Sequence, residues 1–432
     1  MPAGRLGRLL GFGLLAGEIA LGTAVEAVRR MAGAEQGRAD GPVFSARNAA
    51  RLADRLARMR GAAMKLGQML SMESEDLLPP ELARALAGLR SAAYAMPRSQ
   101  LRRALGREYG RGWEERFSYF DYEPLAAASI GQVHRARSAD GRELALKVQY
   151  PGVARSIDSD VDNALALLHG VHLLPAGVDL DGIAATARQQ LHEEADYLAE
   201  AAHLARYRTL VADEPHLVVP RPYADLTTRR VLAMDYAEGI ALDTLGEAGT
   251  AQAERDRIGA LLERLLFREL FEFRFMQTDP NFANYLYQPQ TGRVALLDFG
   301  AARSLPREFV AGYARITRAI MHGDRDAART AAADIGYLQA PDEAHVRTTL
   351  DLLFLVCEPL RHRGPYDFAA SNLALRAGQL SFLPGFAAGT LRLPPPATMF
   401  LHRKLVGSFL ICARMGARVD VRSLILPFLE AY

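Results

Sequence analysis

Apolar residues recur at helical spacing over 45–72, with no Pro and only Gly61 and Gly67 interrupting them, so the chain's first clear pattern predicts an amphipathic helix. A second helix is predicted to start at Pro79-Pro80-Glu81, where Pro fits the first turn and an acid suits the helix dipole. A third begins at Met96-Pro97 and runs to about Arg107. After Gly110 the pattern shortens to strand-like runs at 117–120, 132–137 and 143–150. The last two flank Ala139-Asp140-Gly141-Arg142, a hairpin signal. One long helix is expected over about 179–210, and strands return at 217–219 and 230–236. Everything beyond Asp243 reads as helical except 285–287 and 293–297, which bracket a turn at Gln288 to Gly292. The expectation is an α+β, two-lobed chain. Its divisions are a leading segment over 1–44, a helical extension over 45–110, a small-sheet lobe over 111–236 and a mostly helical lobe over 237–432.

The leading segment is apolar and Gly/Ala-rich from Leu9 to Val28, between Arg5, Arg8, Arg29 and Arg30. Glu18 and Glu26 interrupt it, and a charge near the bilayer centre costs at least about 2.5 kcal/mol. It is therefore read as a partner-packed helix or a segment lying on a membrane, and not as a spanning anchor.

Composition adds three constraints. The 432 residues are 50% hydrophobic and 24% charged, which excludes a mostly disordered chain. A formal net charge of +2 argues against a dedicated nucleic-acid binder. Two cysteines are too few for a disulfide framework or a cysteine-ligated metal, so a reducing compartment, the cytoplasm, is expected. All but three of the 52 basic residues are Arg; the exceptions are Lys65, Lys147 and Lys404. Such scarcity marks positions where a compact ammonium is needed.

The strongest chemical signal surrounds the second hairpin. Asp279-Pro280-Asn281-Phe282-Ala283-Asn284 precedes its first strand, and Asp298-Phe299-Gly300 follows its second. A D-x-x-x-x-N loop, a hairpin and D-F-G is the order that kinases use for phosphoryl transfer. Asp279 suits the task of orienting or deprotonating an attacking hydroxyl or water. Asn284 and Asp298 offer hard oxygen ligands for Mg²⁺ on ATP. Lys147, near the end of a predicted strand, stands where a kinase pairs the phosphates, and Glu200 on the long helix is the expected carboxylate partner, with Asp196 a neighbour on the same face. Ala126-Ala127-Ala128-Ser129 replaces the expected glycine-rich loop, which stiffens it while leaving backbone N–H groups for phosphate. Met234 and Tyr236, ending the strand over 230–236, are further candidates for nucleotide contact. Gln277-Thr278 replaces the His-Arg of protein kinases, and only Ala301 to Pro306 separate Gly300 from the next helix, which leaves no platform for a peptide.

Four motifs together resemble the UbiB (aarF-domain) family of atypical kinase-like proteins: Lys65-x-Gly67-Gln68, the Ala126 to Ser129 loop, Glu194-x-Asp196 and Asp279-Pro280-x-x-x-Asn284. The resemblance runs from about Ser45 to the C-terminus. The stretches Arg58 to Lys65, Phe275 to Pro280 and Leu401-His402-Arg403-Lys404 look like the mitochondrial ubiquinone-biosynthesis branch. The chain departs from the pattern with Asn281 where many relatives carry His and Phe282 where they carry Pro. The resemblance implies a protein-kinase-like fold whose helical extension covers the active site, with Lys65 and Gln68 meeting Glu194 and Asp196. It also implies an ATPase or atypical kinase supporting ubiquinone biosynthesis, peripheral at the inner membrane. The partners expected are ATP, a membrane or quinone precursor, the biosynthetic enzymes and a second copy of the chain. Lys404 gains a family context and no role.

Overall fold

The structure, a computed structural model, describes residues 95–170, 180–247, 249–338, 343–373, 376–377 and 396–432. The helices expected before Met96, the apolar segment from Leu9 to Val28, and both Lys65 and Gln68 lie outside the described residues.

Helix α1 (Arg98–Tyr109) opens the described chain. Strands β1 (Phe117–Phe120), β2 (Ala126–Ala127), β3 (Gly131–Ser138), β4 (Glu143–Gln149) and β6 (Val231–Asp235) form a sheet in the order β1-β3-β4-β6, with β2 added on β3. The pairings are antiparallel where β1 meets β3 and where β2 meets β3. Two further helices follow β4: α2 (Val153–Gly170), which the sequence pattern did not single out, and α3 (Leu180–Glu194).

The expected single helix over 179–210 is two helices, and Asp196 is the reason. Its carboxylate accepts the backbone N–H groups of Leu198 (3.1 Å) and Ala199 (3.3 Å), so it caps a new helix, α4 (Tyr197–Leu210). Asp196 is therefore not a face-sharing neighbour of Glu200; its carboxylate is committed to the helix end.

The chain forms two compact units, each discontinuous in sequence. Among described residues, the first holds 95–107, 122–133, 148–170 and 180–195. Its helices α2 and α3 pack on each other and bury Ile157, Val161 and Ala164 from one and Ala184, Ala187 and Leu191 from the other. Both sets follow the spacing of one helical face.

The second unit holds 108–121, 134–147 and the chain from Asp196 onward. Strands β5 (Leu217–Val218), β7 (Ile240–Ala241), β9 (Tyr285–Gln288) and β10 (Arg293–Leu296) make a sheet ordered β5-β10-β9-β7, whose centre is the predicted hairpin. Its turn closes through N–H groups of Thr291 and Gly292 donated to the Gln288 carbonyl, with Gly292 at φ +66°, where a side chain would be strained. Helix α5 (Gln252–Phe267) continues into a π-helical turn, Arg268–Phe273. Past Asp243 the chain is also less helical than its pattern suggests. Strands β8 (Phe275–Gln277), β11 (Ala302–Ser304), β12 (Tyr366–Asp367) and β13 (Arg418–Val419) are two or three residues long, too short to register a period of two. Helices α6 (Arg307–His322), α7 (Arg325–Asp334), α8 (Glu343–Val356), the single turn α9 (Glu358–Arg361), α10 (Pro396–Met415) and α11 (Val421–Glu430) complete the unit. Helix α10 starts on Pro396, whose missing N–H costs nothing at a first helical position, and it packs on α5.

Candidate active site

Two short ribbons in the second unit draw the acidic cassettes together. Hairpin β9–β10 begins beside Asn284 and ends two residues before Asp298, and the Leu297 N–H donates to the Asn284 carbonyl at 3.0 Å. On the other side, β8 pairs antiparallel with β11, matching Gln277 with Ala302. Thr278 Oγ1 adds a bond to the Ala301 carbonyl at 2.6 Å. The entry to the Asp279 loop is thus tied to the exit of Asp298-Phe299-Gly300. The ribbon that does this is one the sequence pattern missed.

Lys147 lies within the same unit. Its Nζ bonds both Glu200 oxygens, at 2.7 and 3.0 Å, and Asp298 Oδ2 at 3.2 Å. Burial disfavours its charge, but Asp298 first and Glu200 second outweigh that and hold the ammonium well above the usual lysine range. Glu200 is buried on α4, in the stripe Tyr197, Glu200, Leu204 and Tyr207 that helical spacing places inward. From the same helix, Tyr207 packs on the fully buried Phe299 ring at 4.5 Å between centroids, and His203 Nδ1 lies 3.2 Å from the Phe299 carbonyl oxygen. One helix therefore fixes both the lysine partner and the aromatic of the Asp298 cassette.

Asp298 Oδ1 accepts the Gly300 N–H at 2.9 Å, which sets the carboxylate's rotation. Asn284 Nδ2 donates to the Asp279 carbonyl (3.0 Å) and reaches Asp279 Oδ2 (3.3 Å), turning its amide oxygen the other way. Asn284 and Asp298 line one small cavity together with Gln277, Tyr285 and Lys404. A carboxylate and an amide oxygen fit Mg²⁺, which takes one or two protein oxygens and fills its octahedron with phosphate oxygens and water. Among the described residues no group of three or more His, Cys, Asp or Glu is placed to hold a metal ion.

Residues for which the sequence offered no role lie behind this front. Lys404 of α10 pairs with Glu269 (3.0 Å) and donates to Gln277 Oε1 (3.1 Å) and Tyr285 OH (3.3 Å). Glu269 Oε1 also accepts the Tyr207 hydroxyl (2.8 Å) and the Gln277 N–H (2.9 Å). Gln277 Nε2 closes the path by donating to the Asp279 carbonyl at 2.6 Å. Gln277 and Thr278, which depart from the His-Arg pattern, thus hold the loop by other bonds. Arg403 of α10 pairs with Asp279 Oδ1. The rarity of Lys and the Leu401-His402-Arg403-Lys404 run were the signals available for this layer.

In the first unit, Ala126 and Ala127 pair with Val133 and Gln132, and the Ala128 N–H donates to the Gly131 carbonyl. Ser129 Oγ donates to Glu194 Oε2 at 2.6 Å, so the Ala-rich loop and the Glu194 motif meet. In the second unit, Met234 is buried on β6, and the Tyr236 ring lies under the Arg135 guanidinium at 4.4 Å.

A strand lysine paired to a helix glutamate, beside a hairpin flanked by an Asp-Asn loop and Asp-Phe-Gly, defines a protein-kinase-like α+β fold. Comparison with known proteins narrows the class: a model described as the ABC1 atypical kinase-like domain matches residues 88–332, and the chain belongs to that family. It is 42% identical over 431 residues to the Rattus norvegicus "Atypical kinase COQ8B, mitochondrial", which spans 98% of this chain and 80% of the rat protein. It is 36% identical over 432 residues to the Saccharomyces cerevisiae "Atypical kinase COQ8, mitochondrial", covering 98% of this chain and 84% of the yeast protein. A solved structure described as the Rv3197–erythromycin complex from Mycobacterium tuberculosis matches with a TM-score of 0.60 and 26% identity, covering 87% of this chain and 93% of that one.

Proposed function

We propose that the chain is a Mg²⁺-dependent ATPase of the atypical-kinase type that supports ubiquinone biosynthesis. The observation that carries this reading is Lys147 held between Glu200 and Asp298, one carboxylate sealed and the other one-third open to solvent. Glu200 keeps the ammonium extended toward Asp298, where it would meet nucleotide phosphates. Asp298 and Asn284 would hold Mg²⁺, and Asp279 would orient the attacking water or hydroxyl. When bound, the metal neutralises charge that develops on the transferring phosphoryl group. The Ala126 to Ser129 loop is assigned backbone donation to phosphate, Met234 and Tyr236 further nucleotide contact, and Glu194 with Asp196, as the resemblance implies, the covering of the site together with Lys65 and Gln68. Helix α6 begins at Arg307, so little chain follows Gly300 on which a peptide substrate could dock. That favours hydrolysis, or transfer to a small lipid-like acceptor, over protein phosphorylation.

The relatives' mitochondrial names and their COQ8 designation support the quinone assignment. Prenyl-quinone precursors are lipids, so the reading includes peripheral contact with the inner membrane and with neighbouring biosynthetic enzymes. No described helix is long and apolar enough to cross a membrane. The test pairs biochemistry with complementation. Asp298→Asn is expected to lower ATP turnover by about a thousandfold, since metal charge stabilisation contributes several kcal/mol, and to fail to restore quinone content in a deletion strain. Unchanged hydrolysis would remove Asp298 from the mechanism. Rescue of quinone content by the inactive variant would replace turnover with a nucleotide-gated scaffold.

A further inference from the structure

Helix α10 presents one face to the loop that carries Asp279. Arg403 pairs with Asp279 Oδ1, and four residues on, Gly407 packs against Pro280. A Cβ at position 407 would stand 2.1 Å from Pro280 Cγ, far inside contact distance, so only glycine lets the helix come this close. Between them Lys404 holds Gln277, whose side chain donates to the Asp279 carbonyl. Gln277, Asp279 and Pro280 are therefore all tied, directly or through Gln277, to a helix more than a hundred residues away in sequence. The Arg403 and Asp279 side chains are 10% and 19% exposed, so solvent screens this pair far less than a surface pair. With Oδ1 engaged by the guanidinium and Oδ2 on the Asn284 side, the carboxylate's rotation about its Cβ–Cγ bond is defined.

We propose that Arg403 is the positioning residue for Asp279: it fixes the carboxylate so that Oδ2 faces the nucleophile, and the Gly407–Pro280 contact holds the helix at the distance this requires. The inference rests on the reading of Asp279 as the group that orients the nucleophile. It assigns to a distant helix a role that a catalytic loop ordinarily fills from its own residues. Loss of orientation lowers the rate of the chemical step far more than nucleotide affinity, because Arg403 engages Asp279 Oδ1 and leaves Asn284 its bond to the Asp279 carbonyl.

The test uses the full chain and reads turnover, KM and the affinity for a fluorescent ATP analogue. Arg403→Ala is expected to lower kcat by about a hundredfold, the scale of a lost positioning contact, with analogue affinity within threefold of wild type. Guanidinium ion at concentrations well below denaturing ones should restore at least fivefold of the lost rate, while sodium at the same ionic strength restores none. Gly407→Ala should lose rate similarly without guanidinium rescue. The double variant Asp279→Asn with Arg403→Ala should be no slower than Asp279→Asn alone. Arg403→Gln, which keeps a planar donor at the site, serves for the same readouts if the alanine variant does not fold. The proposal is overturned by kcat within threefold of wild type, by analogue affinity falling in step with kcat, by absent guanidinium rescue, or by additive losses in the double variant. If Asp279→Asn abolishes turnover and Arg403→Ala does not slow it, the role of Asp279 stands and that of Arg403 falls. If Asp279→Asn itself turns over normally, the underlying reading fails first.

Discussion

Lys147 and Lys404 are both buried ammonium groups in carboxylate company, yet their surroundings differ in the feature that matters. Lys147 has one partner sealed in the protein, Glu200 at 1% exposure, and one facing outward, Asp298 at 32%. Lys404 has Glu269 at 0%, with Gln277 and Tyr285 also buried around it. In both cases burial opposes the charge and neighbouring carboxylates restore it: Asp298 then Glu200 at one, Glu269 at the other. A half-open cage lets a cation exchange a carboxylate for a phosphate. Lys404 borders the same small cavity, but its carboxylate partner is fully sealed, so that pair holds the chain together. On the proposed function the first lysine works on a ligand, whereas the second fastens Gln277 and Glu269 to α10.

Substitution separates the two. Lys147→Met is expected to abolish measurable ATP turnover, whereas Lys404→Met should cost about 3–5 kcal/mol of folding stability, the usual result of stranding one member of a buried pair. Assayed well below its lowered melting temperature, the Lys404 variant should keep turnover within about tenfold of wild type. Equal loss of turnover in both, under conditions where both are folded by circular dichroism, would erase the distinction.

The next effect in size concerns Glu263, on α5 facing α10. Its Oε1 accepts Ser408 Oγ (2.5 Å) and Cys412 Sγ (3.5 Å), and burial pushes its carboxyl up to about 7. With an ordinary value of 4.5, the unfolded chain gives up this proton first as pH rises. Stability is therefore full below about pH 4.5 and falls through the window up to about pH 7. Glu263→Gln should flatten that fall, add about 3 kcal/mol above pH 7 and change little below pH 4.5. Urea melts at pH 4, 6 and 8 measure it; equal midpoints for variant and wild type at pH 8 would place the proton elsewhere. The smallest effect is at the front of the molecule. Asp196→Ala removes the cap of α4, the helix that carries Glu200, and should lower stability by about 1 kcal/mol. Asp196→Asn, which keeps an accepting oxygen, should recover most of it.

The same contrast explains what could be read in the sequence. Lys147, Glu200, Asp279, Asn284 and Asp298 could be singled out by residue type and spacing, and the structure brings Lys147 against Glu200 and Asp298 and Asn284 against Asp279, while their roles in phosphoryl transfer belong to the proposed function. The hairpin between the cassettes was legible because both strands are four residues long and end in a glycine-bearing turn. Ribbon β8–β11 was not, since three residues carry no period and its partners are joined only through the fold. Asp196 misled because an acid at the end of one helix and the start of the next looks, in one dimension, like an acid inside a longer one. In the back layer Glu269 escaped altogether, and Arg403 and Lys404 were named without a role. A buried ion pair between residues more than a hundred apart obeys no local rule, and the rarity of Lys with the Leu401–Lys404 run pointed toward position 404 without giving it a partner.

The position of α10 has a consequence for synthesis. The ribosome releases Asp298-Phe299-Gly300 long before Pro396 to Met415, so a chain interrupted anywhere between them displays every signature of a phosphoryl-transfer enzyme while lacking the brace under Asp279. If Arg403 positions Asp279 as proposed, competence waits for α10 to be made, and a stop in that stretch yields a polypeptide that carries the motifs without the brace.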